Sequence, residues 1–104
     1  MRYWISLNKV PNQEGSFNIT TNSGEILACD FKLRTLTDNS LIIDLTVNDK
    51  VIFQSRKCIN KMPLIYNNGF GGNFYWEDLY GNDNPSYNDF NDRFIFIFDT
   101  EYRI

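Results

Sequence analysis

The sequence predicts an all-β fold, a single domain over residues 1–104 that forms a small antiparallel β-barrel or β-sandwich of about six to eight strands. Residues 27–34 and 41–47 alternate apolar and polar side chains with a period of two, as half-buried strands do. Short polar residues that favour turns, such as those at 37–40, separate these runs. No segment carries apolar residues at helical spacing.

The predicted strands follow one another through short turns. In chain order they cover residues 2–7, 16–20, 27–34, 41–47, 50–53, 74–76 and 93–98. Asn48-Asp49 joins the fourth strand to the fifth as a two-residue hairpin turn would. Strands two to five therefore form an antiparallel meander. Closure into a barrel, or a second sheet, is expected because an open sheet leaves its edges unpaired.

Alternation also predicts which side chains enter the core. The inward set is Leu27, Cys29, Phe31, Leu33, Leu41, Ile43, Leu45, Val47, Phe74 and Trp76. The last strand is apolar on both faces, since Phe94, Phe96 and Phe98 alternate with Ile95 and Ile97. That strand is therefore expected at the centre of a sheet, or with one face against a partner.

Composition excludes several classes of function. The chain contains no histidine, which removes Ser–His and Cys–His catalysis and histidine-bearing zinc sites. Its net charge is −3 and it has no basic run, so direct binding to nucleic acid or to an anionic membrane is not expected. No apolar stretch approaches the length of a signal peptide core or a membrane span, which predicts a soluble protein made in the cytosol. Cys29 and Cys58 are expected to be buried, reduced thiols.

Charge and loop length single out the second half of the chain. Residues 1–61 carry a net charge of +2, and residues 62–104 carry −5. A long connection spans residues 80–92, whereas most loops have about 4–6 residues. It contains many of the acidic residues of this half of the chain. Such a length indicates either a functional loop or an ordered excursion.

The sequence offers residues for three kinds of chemical site, and a simpler structural role is favoured for each. Calcium could bind Asp78, Asp83, Asp89 and Asp92, but their spacing does not match an EF-hand, and turn capping is favoured. A hydrolase could use Glu77 with Asp78 or Asp89 with Asp92, but a solvated acidic surface is favoured. The glycine-rich residues 69–72 lack the lysine and the following helix of a phosphate-binding loop. No enzyme activity, cofactor or metal is therefore predicted.

Protein-interface residues are the favoured candidates. The aromatic candidates are Phe70, Tyr75, Trp76, Tyr80, Tyr87 and Phe90, because Tyr and Trp are enriched at interfaces, with burial in the core as the alternative for about half of them. Arg56 and Lys57, near Lys61, form a small basic cluster that is either a solvated face or a contact for Asp83 and Asp89 of a neighbouring copy. A contact of that kind closes rings, so a symmetric homo-oligomer is expected.

The order of these features resembles a known family. It runs through Ile5-Ser6-Leu7, Val10-Pro11-Asn12-Gln13, Pro63-Leu64, Gly72-Asn73-Phe74-Tyr75, the Asp/Asn-rich loop 80–87 and Asp92-Arg93-Phe94. Over nearly the whole chain it is similar to the small baseplate plug proteins of contractile-tailed bacteriophages, which are all-β proteins of this length.

The resemblance implies a structural, non-catalytic component of the tail baseplate in the virion. Such a protein would sit near the end of the tail tube and contact hub, tube or spike proteins, and it would be displaced when the tail contracts. The alternative is a small phage-encoded β-barrel module that binds a host protein, for example as an inhibitor.

Overall fold

The described residues, 1–66 and 71–102 of a computed structural model, form seven strands in two antiparallel sheets. The strands are β1 (Arg2–Ile5), β2 (Gln13–Thr20), β3 (Ile26–Thr35), β4 (Leu41–Val47), β5 (Lys50–Lys57), β6 (Asn73–Asp78) and β7 (Phe94–Asp99). One sheet has the order β1-β7-β6 and the other β2-β3-β4-β5. The all-β prediction is confirmed in its sandwich form, because the two sheets are not joined into a closed barrel.

The four-stranded sheet is the predicted meander. Asn48 and Asp49 adopt φ values of 51° and 67°, as a tight two-residue hairpin between β4 and β5 requires. Between β2 and β3, the Thr21 N–H donates to the Glu25 oxygen at 2.9 Å, and Gly24 takes a φ of 87°. The inward apolar residues of β3 lie opposite those of β4, with Cys29, Phe31 and Leu33 paired to Val47, Leu45 and Ile43.

The core lies between the two sheets. The alternating residues of β3 and β4 are buried as predicted, from Leu27 to Leu33 and from Leu41 to Val47. The three-stranded sheet contributes Phe74, Trp76, Phe94, Phe96 and Phe98, all buried. Aromatic rings fill the layer between the sheets, with Phe74 centred 5.6 Å from Phe96 and 4.8 Å from Phe98.

β7 is the central strand of its sheet, as its two apolar faces predict. Its outer face carries Ile95 and Ile97, which are buried together with Tyr75 of β6. Tyr102 packs against this small cluster, with its ring centred 5.4 Å from that of Tyr75. Both faces of the three-stranded sheet therefore carry buried apolar side chains.

The free edge of β6 is covered by the segment that follows β5. The Lys61 and Leu64 N–H groups donate to the Trp76 and Phe74 oxygens at 2.8 and 2.9 Å. The Asn73 side chain donates to the Ile65 oxygen at 2.7 Å and accepts from its N–H at 2.9 Å. These contacts satisfy an edge that would otherwise be open.

Both cysteines are free and buried. Burial raises the pKa of the Cys29 thiol to about 12, and likewise that of Cys58 to about 12. Neither thiol is therefore a nucleophile at neutral pH, because the thiolate is the reactive form. Across the described part of the chain, no helix is long and apolar enough to cross a membrane.

Candidate functional site

The long connection between β6 and β7 is fixed by one ion pair. We call residues 79–93 the 79–93 loop. Asp78 ends β6 directly before the loop, and Arg93 is the last residue of the loop directly before β7. Arg93 Nε donates to Asp78 Oδ1 at 2.8 Å and Arg93 Nη2 donates to Asp78 Oδ2 at 2.9 Å, a two-bond contact. The Asp78 side chain is fully buried in this contact.

Asp78 also organises the first turn of the loop. Its two carboxylate oxygens accept the backbone N–H groups of Tyr80 and Asp83, each at 2.9 Å. The hydrogen bonds from Arg93 hold the pKa of the Asp78 carboxyl well below its usual range, and the two backbone N–H groups add to this effect. The pKa of Arg93 is correspondingly raised by its bonds to Asp78. Asp78 is thus a charged structural group at neutral pH.

Arg93 reaches a second carboxylate in the same loop. Its Nη2 donates to Asp83 Oδ2 at 2.8 Å, and its guanidinium lies 4.9 Å from the Phe94 ring centroid. Gly81 lies against this network, where an added Cβ would be 3.3 Å from Arg93 Nη2. The tip of the loop is therefore tied down to one position by Arg93.

The returning half of the loop is held by the core. Phe90 is fully buried and its ring is centred 5.3 Å from that of Trp76. Asn91 accepts the Leu7 N–H at 3.0 Å and donates to the Leu7 oxygen at 2.6 Å. Lys9 pairs with Asp92, so Asp92 contacts the segment after β1. The predicted loop is thus an ordered excursion with its own short 3₁₀ turn at Tyr87–Asp89.

Four of the predicted interface residues, Tyr80, Asp83, Tyr87 and Asp89, belong to this loop. Tyr80 is 78% exposed, and the Asp83 side chain is 75% exposed although Arg93 holds one of its oxygens. Asp89 is exposed and Tyr87 is half-buried against the core. A rigid loop that presents a large exposed ring beside carboxylates suits protein binding, because little conformational entropy is lost when a partner docks.

The other aromatic candidates lie elsewhere. Trp76 and Phe90 are fully buried, so the core alternative holds for these two rings in the isolated chain. Tyr75 is only 8% exposed and packs on the outer face of the three-stranded sheet. Phe70 lies outside the described residues. Trp76 and Phe90 support the loop from below and do not themselves face solvent.

The basic candidates lie outside the 79–93 loop, with Arg56 and Lys57 in β5 and Lys61 in the segment that follows it. Arg56 of β5 donates to the Leu64 oxygen at 2.8 Å, and its guanidinium is 4.5 Å from the Tyr66 ring centroid. Its charge is therefore engaged within the chain. Lys57 and Lys61 are exposed. The part of this cluster that is open to a partner is the lysine pair.

The aspartates of the loop do not converge. Within residues 1–66 and 71–102, no group of three or more Asp, Glu or Cys side chains is arranged to hold a metal ion. Asp78 and Asp83, two of the four carboxylates considered for calcium, are bound by Arg93 instead. The arrangement stabilises a loop and leaves its outer face for contacts.

Sequence reasoning missed two features of this site. The first is the partnership of Asp78 with Arg93, which are 15 positions apart and meet only because β6 and β7 pair. The second is Trp4, which is 64% exposed. Alternation offered a signal for Trp4, since its neighbours Tyr3 and Ile5 pack against the core and the residue between them must point outward.

We expect Arg93→Ala to loosen the first half of the 79–93 loop. The substitution leaves the buried Asp78 carboxylate without its main partner, so the amides of Tyr80 and Asp83 should exchange their hydrogens at least about tenfold faster. Native-state hydrogen exchange resolved by residue measures this. Lys9→Ala is the matched control, because it removes an exposed ion pair to the same loop and should leave these amides unchanged. Equal exchange in both variants would contradict the anchoring role.

The same variant carries a pH signature. The folded pKa of Asp78 is lowered relative to an unfolded value of about 3.9, so this contribution to stability is fully present above pH of about 4 and is lost as the pH falls below that value. The difference in melting temperature between the natural chain and Arg93→Ala should therefore be largest at neutral pH and shrink toward about pH 2. A difference that grows on acidification would exclude this linkage.

The model of a protein family described as "Cyanophage baseplate Pam3 plug gp18" matches residues 1–101. No curated protein matches the chain.

Proposed function

The chain belongs to the family of the cyanophage baseplate Pam3 plug gp18 and is a structural component of the virion tail baseplate, and we propose that there it closes the central channel at the end of the tail tube. In this role it contacts hub, tube or spike proteins and is displaced when the tail contracts. The observation that carries the proposal is the family match over residues 1–101, nearly the entire chain.

The chemistry of the chain supports a role without catalysis. The sequence has no histidine, and both thiols are buried with the pKa of each raised to about 12. The Asp78 carboxylate, directly before the 79–93 loop, is bound by Arg93 and by two backbone N–H groups. These groups stabilise a shape, which is what a plug needs.

The 79–93 loop is the proposed contact surface for the neighbouring baseplate proteins. Tyr80 provides an exposed ring, and Asp83 and Asp89 provide exposed acid on the same loop. A partner surface that is basic around an apolar pocket would complement it. Anchoring by Arg93 presents these side chains in one geometry, so binding requires little ordering.

A symmetric homo-oligomer is proposed within the baseplate. Lys57 and Lys61 of one copy would face Asp83 and Asp89 of the next, since all four side chains are exposed and the two pairs carry opposite charge. Repetition of such a head-to-tail contact closes a ring when the rotation permits it. A ring around the tail axis would narrow the channel.

The experiment is quantitative mass spectrometry of purified particles made with variant chains. We expect the natural chain in every particle and Tyr80→Ala to be incorporated at least about tenfold less, because a hot-spot ring contributes about 2 kcal/mol or more to binding. Asp83→Lys should reduce incorporation similarly, because it reverses the charge at position 83 and removes the ion pair with Arg93.

Ile26→Ala is the matched control, since Ile26 is 66% exposed and lies at the start of β3, outside the 79–93 loop. It should be incorporated as the natural chain is. If the natural chain were absent from purified particles, the proposal would fail and the alternative of a host-directed binding module would be favoured. Equal incorporation of all variants would move the contact surface away from the loop.

A further inference from the structure

Two free strand edges face each other on one side of the sandwich. We call this feature the β1–β2 seam. Consecutive residues 3–6 of one sheet and 16–19 of the other line a groove of about 220 Å³ together with Phe31. Within residues 1–66 and 71–102, β1 pairs only with β7 and β2 only with β3, so no strand of this part of the chain pairs with either on the side that faces the groove.

The hydrogen-bond alternation of antiparallel strands shows which backbone groups are open there. The Thr100 N–H donates to the Met1 oxygen, so Arg2 and Trp4 direct their N–H and C=O groups away from β7. The Thr21 N–H likewise donates to the Glu25 oxygen, so Ser16, Asn18 and Thr20 direct theirs away from β3.

A bond at one end confirms this orientation. The Tyr3 hydroxyl donates to the Thr20 oxygen at 3.0 Å, across the seam from β1 to β2. At the other end, the Gln13 side chain accepts the Asn8 N–H at 3.1 Å and donates to the Asn8 oxygen at 2.7 Å. Between these two side-chain contacts, no strand of the part of the chain that the structure describes pairs with the facing edges of β1 and β2.

The floor of the seam is apolar. Tyr3, Ile5 and Phe17 are half-buried and pack against the main core, whereas the inward residues of β3 and β4 are buried. The Phe17 ring is centred 5.9 Å from Phe31 and 6.0 Å from Phe74. The core is thus exposed to solvent along this side, at the place where the sandwich fails to close into a barrel.

We propose that an extended segment of another tail protein binds in the β1–β2 seam as an added strand, with its backbone bonding the edges of β1 and β2. This inference rests on the proposed function, since it names a partner within the baseplate. Extended peptides add to exposed sheet edges through main-chain hydrogen bonds, and alternate side chains supply specificity.

The walls define the chemistry of the segment. Ser6, Ser16 and Asn18 form an uncharged rim above the apolar floor. The segment should therefore alternate apolar and polar residues without charge at its centre, with the apolar set pointing onto Tyr3, Ile5 and Phe17. A second copy of this chain fits less well, because each of its edge strands carries a sheet on one side and can bond only one of the two edges.

The test is site-specific photo-cross-linking in assembled particles. A benzoylphenylalanine placed at Trp4, and separately at Asn18, should cross-link to the same short segment of another tail protein, mapped by mass spectrometry. The same probe at Val51, which is exposed on the edge strand β5, is the control and should not reach that segment. Cross-links to another copy of this chain would overturn the proposal in favour of an interface between copies.

A proline variant separates strand addition from simple proximity. Asn18→Pro removes an N–H that faces the seam and is not used by β3, and proline is tolerated on edge strands at such positions. The variant should melt within about 4 °C of the natural chain, and the cross-link from position 4 should fall at least about tenfold. An unchanged cross-link would overturn the proposal. Particles that contain the chain but show no cross-link from either position would refute the seam while leaving the proposed function intact.

Discussion

Replacing Trp76 with alanine is expected to lower the free energy of unfolding by about 3–5 kcal/mol. The Trp76 side chain has no exposed area, and its ring stacks between Phe90 and Phe96 at centroid distances of 5.3 and 4.8 Å. Truncation would leave a cavity where β6, β7 and the 79–93 loop meet. Chemical denaturation would measure this loss as a lower midpoint, with the slope of the unfolding free energy against denaturant concentration unchanged.

Trp4→Ala is the matched control for this experiment. Trp4 is the same residue type on the opposite edge strand of the same sheet, but it is 64% exposed, so its removal should change the stability of the isolated chain by no more than about 0.5 kcal/mol. If Trp76→Ala instead cost less than about 1 kcal/mol and abolished assembly, the ring would act at an interface and its packing here would not be the basis of its role.

Gly72→Ala is expected to destabilise the chain by about 2–6 kcal/mol, from backbone strain and overpacking together. Gly72 has a φ of 146°, a conformation that residues with a side chain rarely adopt. An added Cβ would lie 2.7 Å from the Asp99 oxygen and 2.7 Å from Phe98 Cζ. Neither neighbour can move freely, because β7 is the central strand of its sheet.

Gly24→Ala separates the two causes. Gly24 also has a positive φ, of 87°, but an added Cβ would meet nothing within 4 Å. Its substitution should therefore show only the backbone cost, about 1–2 kcal/mol. Equal losses in the two variants, measured by thermal and chemical unfolding, would show that the close approach to β7 contributes nothing.

Much of the fold could be predicted because its signals are local. A period of two places Leu41, Ile43 and Leu45 on one face wherever the strand lies, and Asn48-Asp49 is a turn signal that two adjacent residues carry. The central position of β7 followed from its two apolar faces. The pairing of Arg93 with Asp78 could not be predicted, because these residues meet only when β6 and β7 pair.

The candidate site was only partly predictable, for the same reason. Tyr80 and Phe90 are both aromatic residues of one loop, yet one is 78% exposed and the other fully buried. Neither composition nor spacing distinguishes them, because burial in a loop depends on which core surface lies beneath it. Trp76 supplies that surface for Phe90.

The sequence by itself determined the all-β class, the meander, the inward face of each strand and the absence of histidine chemistry. Tertiary structure decided that β1 pairs with β7, that Asp78 and Arg93 meet, and that β1 and β2 line one groove without pairing as strands. Periodicity and turn chemistry act over a few residues, whereas strand partnership is set by the packing of the two sheets around one aromatic core. The open β1–β2 seam arises from that packing, so no local pattern in the sequence could have predicted it.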